Sequence, residues 1–236
     1  MRTPRLASRV HRRLLVNYRT DPDITARLLP APLRPQIVNG WAVSGICLIR
    51  LSVLNGLVTE NAAHRIAVAW DTPDGVAQGV YIPRRDTESR LVAWAGGRIF
   101  PGHHRHSRFD VQDEAGELHL AFADVDVHVR PAATLAGSHL FTETAQASEF
   151  FRRGAVAYSA TPDPTRLDGL HLLTDGGDVT PVELSSVRSA YFDDPSRFPP
   201  ATAIPDSAFL MRDLPAVWKP LPPMTVRPAT EQPAPA

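Results

Sequence analysis

The sequence holds one cysteine, Cys47, in 236 residues. An internal disulfide is therefore excluded, and so is a metal site built from several thiolates. Lysine is equally scarce: 24 of the 25 basic residues are arginine and one is Lys219. Arginine stays protonated and forms no Schiff base, so amine catalysis would have to use Lys219 or the N-terminus. Neither charge is in excess, because 25 acidic residues balance the 25 basic ones. A chain whose main partner is nucleic acid needs a basic surplus, so that class is set aside. No apolar run approaches the ~18 residues of a membrane span. The arginine-containing start of the chain lacks the apolar stretch and small-residue cleavage site of a signal peptide. No membrane partner is expected, and the cytoplasm is the expected location. A Walker loop, G-x-G-x-x-G, G-x-S-x-G and HExxH are all missing. Nucleotide cradles and nucleophile elbows thus lack support, and the expectation is a chain with no cofactor and no metal.

What is present describes a globular protein. A hydrophobic share of 43% supplies a core, and a charged share of 21% with zero net charge argues against global disorder. The length suits one β-rich domain. The expected organisation is a single domain over residues 1–214, then a proline-rich tail over 215–236 whose last dozen residues are loosely held.

The hydrophobic pattern predicts strands at 12–18, 41–54, 59–70 and 76–84, the last two joined by the turn at Asp71–Gly75. Further strands are expected at 103–112, 117–130, 155–159, 170–173 and 179–192. Asp21 reads as a helix N-cap with Pro22 at the first helical position, and Pro30 stops that helix. Other short helices are expected at 86–94, 142–153 and 206–212. About nine strands with hairpin-type connections predict a largely antiparallel sheet, closed or half-closed into a barrel that leaves a mouth for a ligand. The fold class is β-rich α+β.

Three constellations carry candidate chemistry. In Thr59–Arg65, a strand places Glu60, Ala62, His64, Ile66, Val68 and Trp70 on one face. The apolar members suggest that this is the buried face, which would set a carboxylate and an imidazole at the entrance of an apolar interior, prepared for acid–base work. The bland reading is a strand end whose glutamate pairs with an arginine. In Tyr81–Asp86, one of Arg84 and Arg85 must point inward whichever face is buried. An inward guanidinium is paired with an internal acid such as Glu60 or Asp86, or with a ligand carboxylate. Arg50 raises the same question. In Phe100–His106, His104 and His106 share a strand face. A metal there would need a third ligand such as His64 or Asp126, and the favoured reading is His104 or His106 as a proton donor near the pocket. Cys47 sits mid-strand among apolar neighbours and reads as an inert core thiol.

The stretch Asn17–Leu33, with its Tyr-Arg-Thr-Asp run, short helix and proline turn, resembles the N-terminal motif of the acetoacetate decarboxylase superfamily. Thr59-Glu-Asn resembles the Thr-Glu-Ser segment of that family, which would put Glu60 on an acidic residue of its site. The strings ICLIRL (46–51), ENAAHR (60–65), GVYIPRRDT (79–87), GGRIFPG (96–102) and MRDLP (211–215) resemble a branch of this superfamily that lacks the Schiff-base lysine. The resemblance implies a bent antiparallel sheet closed into a cone-like barrel around a small, largely apolar cavity. The decarboxylase uses the first lysine of a Tyr-Pro-Lys-Lys segment, whereas Thr87–Ala93 here holds no lysine, so decarboxylation is not carried over. Relatives of this fold often assemble, which makes a homo-oligomer one expectation.

The function expected on these grounds is a small-molecule enzyme taking a carboxylate or β-dicarbonyl ligand without a Schiff base. Glu60, His64 and His104 would move the proton, and Arg50, Arg84, Arg85, Asp86 and His106 would bind the substrate. Enolisation, hydration–dehydration, cyclisation and hydrolysis all fit. The alternative is a non-catalytic binding or sensor protein using the same pocket.

Overall fold

The computed structural model describes residues 6–53, 56–95, 102–114, 116–174 and 178–229. Among them are fourteen strands and four helices: β1 (Leu6–Thr20), α1 (Pro22–Arg27), β2 (Arg34–Pro35), β3 (Ile37–Val38), β4 (Trp41–Val53), β5 (Leu57–Thr72), β6 (Gly75–Thr87), α2 (Arg90–Ala95), β7 (His104–His106), β8 (Phe109–Glu114), β9 (Glu117–Phe122), β10 (Val125–Pro131), α3 (Thr144–Arg153), β11 (Val156–Ala160), β12 (Arg166–Thr174), β13 (Thr180–Ser189), α4 (Ala190–Asp193) and β14 (Ala203–Thr225). No helix among these residues is long and apolar enough to cross a membrane.

The strands form one mixed sheet. The path β1-β4-β5-β6-β11-β12-β14 returns to β1 through a β1–β14 pairing, so seven strands make a ring. From β14 the sheet continues through β13, β10, β9 and β8 as a second layer. The described ladders are antiparallel except β6–β11 and β6–β7, which are parallel.

The ring wall is buried on both sides. Leu14, Val16 and Tyr18 of β1 and Ile46 and Leu48 of β4 pack against Leu118, Leu120, Val127 and Val129 of the second layer. Their sequence neighbours turn the other way: Leu15, Val43 and Ile49 join Ala147 and Phe151 of α3 in a separate cluster. In a strand, successive side chains point to opposite faces, so one wall serves two cores. The loop side of the wall is held by α1. Asp21 Oδ1 accepts from the N–H groups of Asp23 and Ile24, both at 2.9 Å, and Pro22 opens the helix as its sequence predicts.

Several expected elements differ. Residues 206–212 are strand: they pair with β1 on one side and, over 208–210, with β13 on the other, and this pairing overrides the helical spacing of their apolar residues. The same strand takes in Pro215–Thr225 of the segment read as a tail, while residues 230–236 lie outside the described residues. The single strand expected at 117–130 is the hairpin β9–β10, turned at Ala123, a non-glycine residue at φ 46°. The strand expected at 103–112 divides into β7 and β8, and the end of that at 179–192 is α4. The helix expected at 86–94 begins only at Arg90, because β6 continues to Thr87. Its expected stop at Gly96-Gly97, and most of the string at 96–102, lie outside the described residues.

One ionisable group is sealed between the layers. His64 is fully buried, with ring centroids 4.9 Å from Tyr191 and 6.0 Å from Phe192, and its Nε2 lies 3.2 Å from Ser189 Oγ. Its Nδ1 is enclosed without a partner. Burial, with the Arg84 charge adding to it, pushes its pKa down to about 3. The imidazole is neutral in the folded chain at any pH above that value.

Two consequences can be measured. The unfolded chain protonates His64 near its ordinary value while the folded chain does not, so stability is full above about pH 6.5 and falls as pH drops toward 3. The slope is roughly 1.4 kcal/mol per pH unit. Urea titrations between pH 7 and 5 on the wild type and His64→Gln should show a shallower slope in the variant; equal slopes would refute the assignment. Gly45 pairs with Asn17 where β1 approaches closely, and a Cβ there would run into the carbonyl oxygen of Val16. Gly45→Ala is expected to cost about 3 kcal/mol, read by calorimetry as a Tm lower by roughly 6–12 °C.

Candidate active site

A cavity of about 250 Å³ lies inside the ring, at the small end of ligand pockets, which run to ~300–1,000 Å³. Every ring strand contributes to its lining: in order along the ring, Arg13, Cys47, Arg65, Arg85, Ala157, Leu170 and Trp218. α3 adds Phe150 and Phe151, α2 adds Val92 and β7 adds His104. The lining is chiefly apolar, and its polar members are therefore conspicuous.

Three of them are guanidiniums. Arg65 is buried, and its Nη2 donates to Asn17 Oδ1 at 2.5 Å while its charged carbon sits 5.1 Å from the centroid of Phe151. Arg85 donates from Nε to Ser159 Oγ at 2.9 Å. Arg13 has its Nε enclosed without a partner. Among the described residues none of the three forms an ion pair, although sixteen ion pairs are found elsewhere in the chain. Burial lowers the pKa of Arg65 and of Arg85 to about 10, which still leaves both charged at neutral pH. A buried cation without a counter-ion costs several kcal/mol. Asp86 belongs to the lining, but its carboxylate accepts from Arg84 at 2.8 and 3.3 Å and from Ser107 at 2.7 Å.

His104 stands beside Arg85, its register partner across the β6–β7 ladder. Its Nδ1 lies 3.2 Å from the Gly102 carbonyl oxygen. A carbonyl only accepts, so the proton sits on Nδ1 and Nε2 presents a lone pair. Burial first, and the Arg85 charge second, push His104 down to about 3. It is a neutral imidazole next to a cation.

The residues expected from sequence divide between two faces of the wall. Glu60 is buried outside the cavity. Its carboxylate takes both oxygens to Arg12 Nη2, at 3.0 and 2.8 Å, and accepts from Arg50 Nη1 at 3.0 Å. This is the bland reading of that motif. His64 lies between the layers, and Arg84 is held by Asp86 and by Asp124. Arg50 is half-exposed. His106 is exposed, outside the lining. Among the described residues neither His104 nor His106 joins a group of three metal-ligating side chains. The structure brings together only Arg85, Asp86 and His104 at the cavity.

The expected inward face of β5 is therefore reversed. Thr59, Asn61, Ala63, Arg65 and Ala67 face the cavity, while Ile66, Val68 and Trp70 pack under Leu29 and Leu33 on the outside. The signal that would have found this is size. A hollow is lined by small side chains, and the alanines at 63 and 67 mark it better than the large residues, which need filled space. Cys47 likewise borders the cavity and is not sealed in the core. Lys219 is exposed, on the opposite face of β14 from Trp218 and Pro220, which line the cavity.

No protein-family model matches the chain, and no curated protein does. Solved structures do match. Acetoacetate decarboxylase from Legionella pneumophila aligns with a TM-score of 0.59 at 14% identity, covering 92% of this chain and 88% of that one. An acetoacetate decarboxylase-like enzyme from Sphingomonas wittichii RW1 aligns with a TM-score of 0.55 at 14% identity, covering 93% and 94%. The enduracididine biosynthesis enzyme MppR, complexed with pyruvate, aligns with a TM-score of 0.55 at 13% identity, covering 94% and 92%. The ring, the second layer and these alignments together give the chain the acetoacetate decarboxylase-like fold.

Proposed function

We propose that the chain is a small-molecule enzyme whose substrate is a carboxylate that also carries a carbonyl, and that it works by acid–base chemistry without a Schiff base. One observation carries this reading: three guanidiniums, Arg13, Arg65 and Arg85, face a small apolar hollow and, among the described residues, none of them pairs with a carboxylate, the Asp86 carboxylate in the lining being held by Arg84. A bound carboxylate would supply the missing charge, and charge-assisted hydrogen bonds to it are strong in a dry site. The pyruvate seen in MppR, a neighbour of the same fold, is a ligand of this class.

The chemistry follows from what else lines the hollow. The chain's one lysine is exposed and turned away, which leaves no side-chain amine among the described residues to attack a carbonyl in the cavity. His104 Nε2 is a free lone pair beside Arg85. In this reading Nε2 takes a proton from the carbon next to the substrate carbonyl, the electron pair of that C–H bond forms a C=C bond to the carbonyl carbon, and the C=O π pair moves onto the oxygen. The resulting enolate is held by a neighbouring guanidinium, a donor already in place where negative charge develops. Isomerase, lyase, cyclase and hydrolase reactions that pass through such an enolate all fit the site.

A panel of small 2-oxo and 3-oxo carboxylates, followed by proton–deuterium exchange at the carbon next to the carbonyl, tests the reading directly. Arg85→Met should weaken carboxylate binding by about 10–100-fold, the worth of a charged hydrogen bond of ~1.5–3 kcal/mol. His104→Asn should bind nearly as well and exchange at least tenfold more slowly. Binding with no exchange on any member would favour the sensor reading, and no binding would defeat both. Glu60→Gln should do the reverse of His104→Asn. Leaving Arg12 buried beside a neutral amide is expected to cost about 3 kcal/mol of stability, seen in denaturant titration, with exchange by the folded fraction unchanged.

A further inference from the structure

The second layer carries, on the face turned away from the ring, a cluster that the proposed chemistry does not use. β9 and β10 pair with His119 opposite His128, and Asp126 precedes His128 by two residues. Leu118, Leu120, Val125, Val127 and Val129 point into the core, so His119, Asp126 and His128 alternate outward together. The two imidazoles stack with centroids 3.9 Å apart and 29° between their planes. Asp126 Oδ2 lies 3.4 Å from His119 Nε2. One ligand atom from each of the three side chains falls within 4.8 Å of the others.

We propose that His119, Asp126 and His128 form a binding site for a divalent transition-metal cation, Zn²⁺ being the best match, with the remaining coordination position open to water. The donor set is the first reason. Two imidazoles and one carboxylate suit Zn²⁺ and its transition-metal neighbours, whereas Mg²⁺ and Ca²⁺ prefer oxygen alone. Spacing is the second. Ligands at ~2.0–2.1 Å from a tetrahedral ion stand about 3.4 Å from each other, which is the separation of Asp126 Oδ2 and His119 Nε2. His128 is the exposed member, and a small turn of its side chain brings the third atom in. The third reason is charge. Asp126 sits in register opposite Arg188 of β13, yet among the described residues its carboxylate lies against the His119 imidazole and forms no ion pair with that arginine. The backbone is already arranged, because all three side chains rise from one hairpin anchored by its core face.

The test is calorimetric titration of the full chain with ZnCl₂ alone at pH 7.5. One equivalent should bind with a micromolar dissociation constant. His119→Ala, His128→Ala and Asp126→Asn should each weaken it at least tenfold, while the exposed His139→Ala should not. At pH 5.5 the affinity should fall, since imidazole must lose its proton to bind. Cu²⁺ as a probe should give an electron paramagnetic resonance spectrum with coupling to two nitrogens, a readout on the unaltered chain that no folding defect can mimic. Absence of saturable binding up to millimolar Zn²⁺ would overturn the proposal. So would binding that survives in the double variant His119→Ala/His128→Ala, which would place the metal elsewhere, as on the His103–His106 run.

Discussion

Everything in this structure depends on a wall of strands that is buried on both of its faces. In β5 only Asn61 between Thr59 and Trp70 escapes full burial. Such a wall has two dry sides and must place its charges on one or the other. Consecutive residues of β1 show the division: Arg12 turns outward to Glu60 and Arg13 turns inward to the hollow. Glu60, Arg12 and Arg50 on one side, and Arg84 with Asp86 and Asp124 on the other end, are closed networks in which each cation has its anion. The inside of the ring is different: among the described residues its one carboxylate, Asp86, is already taken by Arg84 and Ser107, and Arg13, Arg65 and Arg85 form no ion pair.

That contrast is what separates structure from function here. A buried ion pair is weak evidence of stabilisation, but a buried charge left unpaired is costly, and folding tolerates it only for a reason. The chain carries acidic residues in number equal to its basic ones, so a partner for Arg65 or Arg85 was available in composition. What occupies those positions instead are the neutral acceptors Asn17 and Ser159. They orient each guanidinium without neutralising it, and the proposed carboxylate site rests on that arrangement.

The sequence was legible where a local rule has a single outcome. Asp21 and Pro22 start α1, the turn Asp71–Gly75 joins β5 to β6, and Asn39-Gly40 lies in the turn before β4. The resemblance carried by residues 17–33, 59–61 and 79–87 pointed to the fold that the structure has. It was not legible where two outcomes share one pattern. Alternation says which residues lie together but not which side is hollow, and in a strand buried on both faces the contrast between sides vanishes. This put Glu60 and His64 on the cavity side and left Arg13 and Arg65 unnoticed. The turn at Ala123 lacks glycine or asparagine, so the jump of the apolar phase from Phe122 to Val125 was its only mark. Residues 206–212 became a strand because β1 and β13 pair with it, which no local window contains.

In the proposed reaction the cavity couples its charge to its proton chemistry through Arg85 and His104, which are partners across the β6–β7 ladder. Burial opposes protonation of His104, and the Arg85 charge opposes it further. On the proposed function, a carboxylate bound to Arg85 would cancel the second of these and add an attraction of opposite sign, so the imidazole would become a stronger base as the substrate arrives. An order of events follows for the proposed reaction: the anion is seated first, and Nε2 then takes the proton. A ligand of the same shape without the negative charge would leave the opposition of burial and Arg85 in place. Selectivity for carboxylates would then be exercised twice, once in binding and again in the proton transfer.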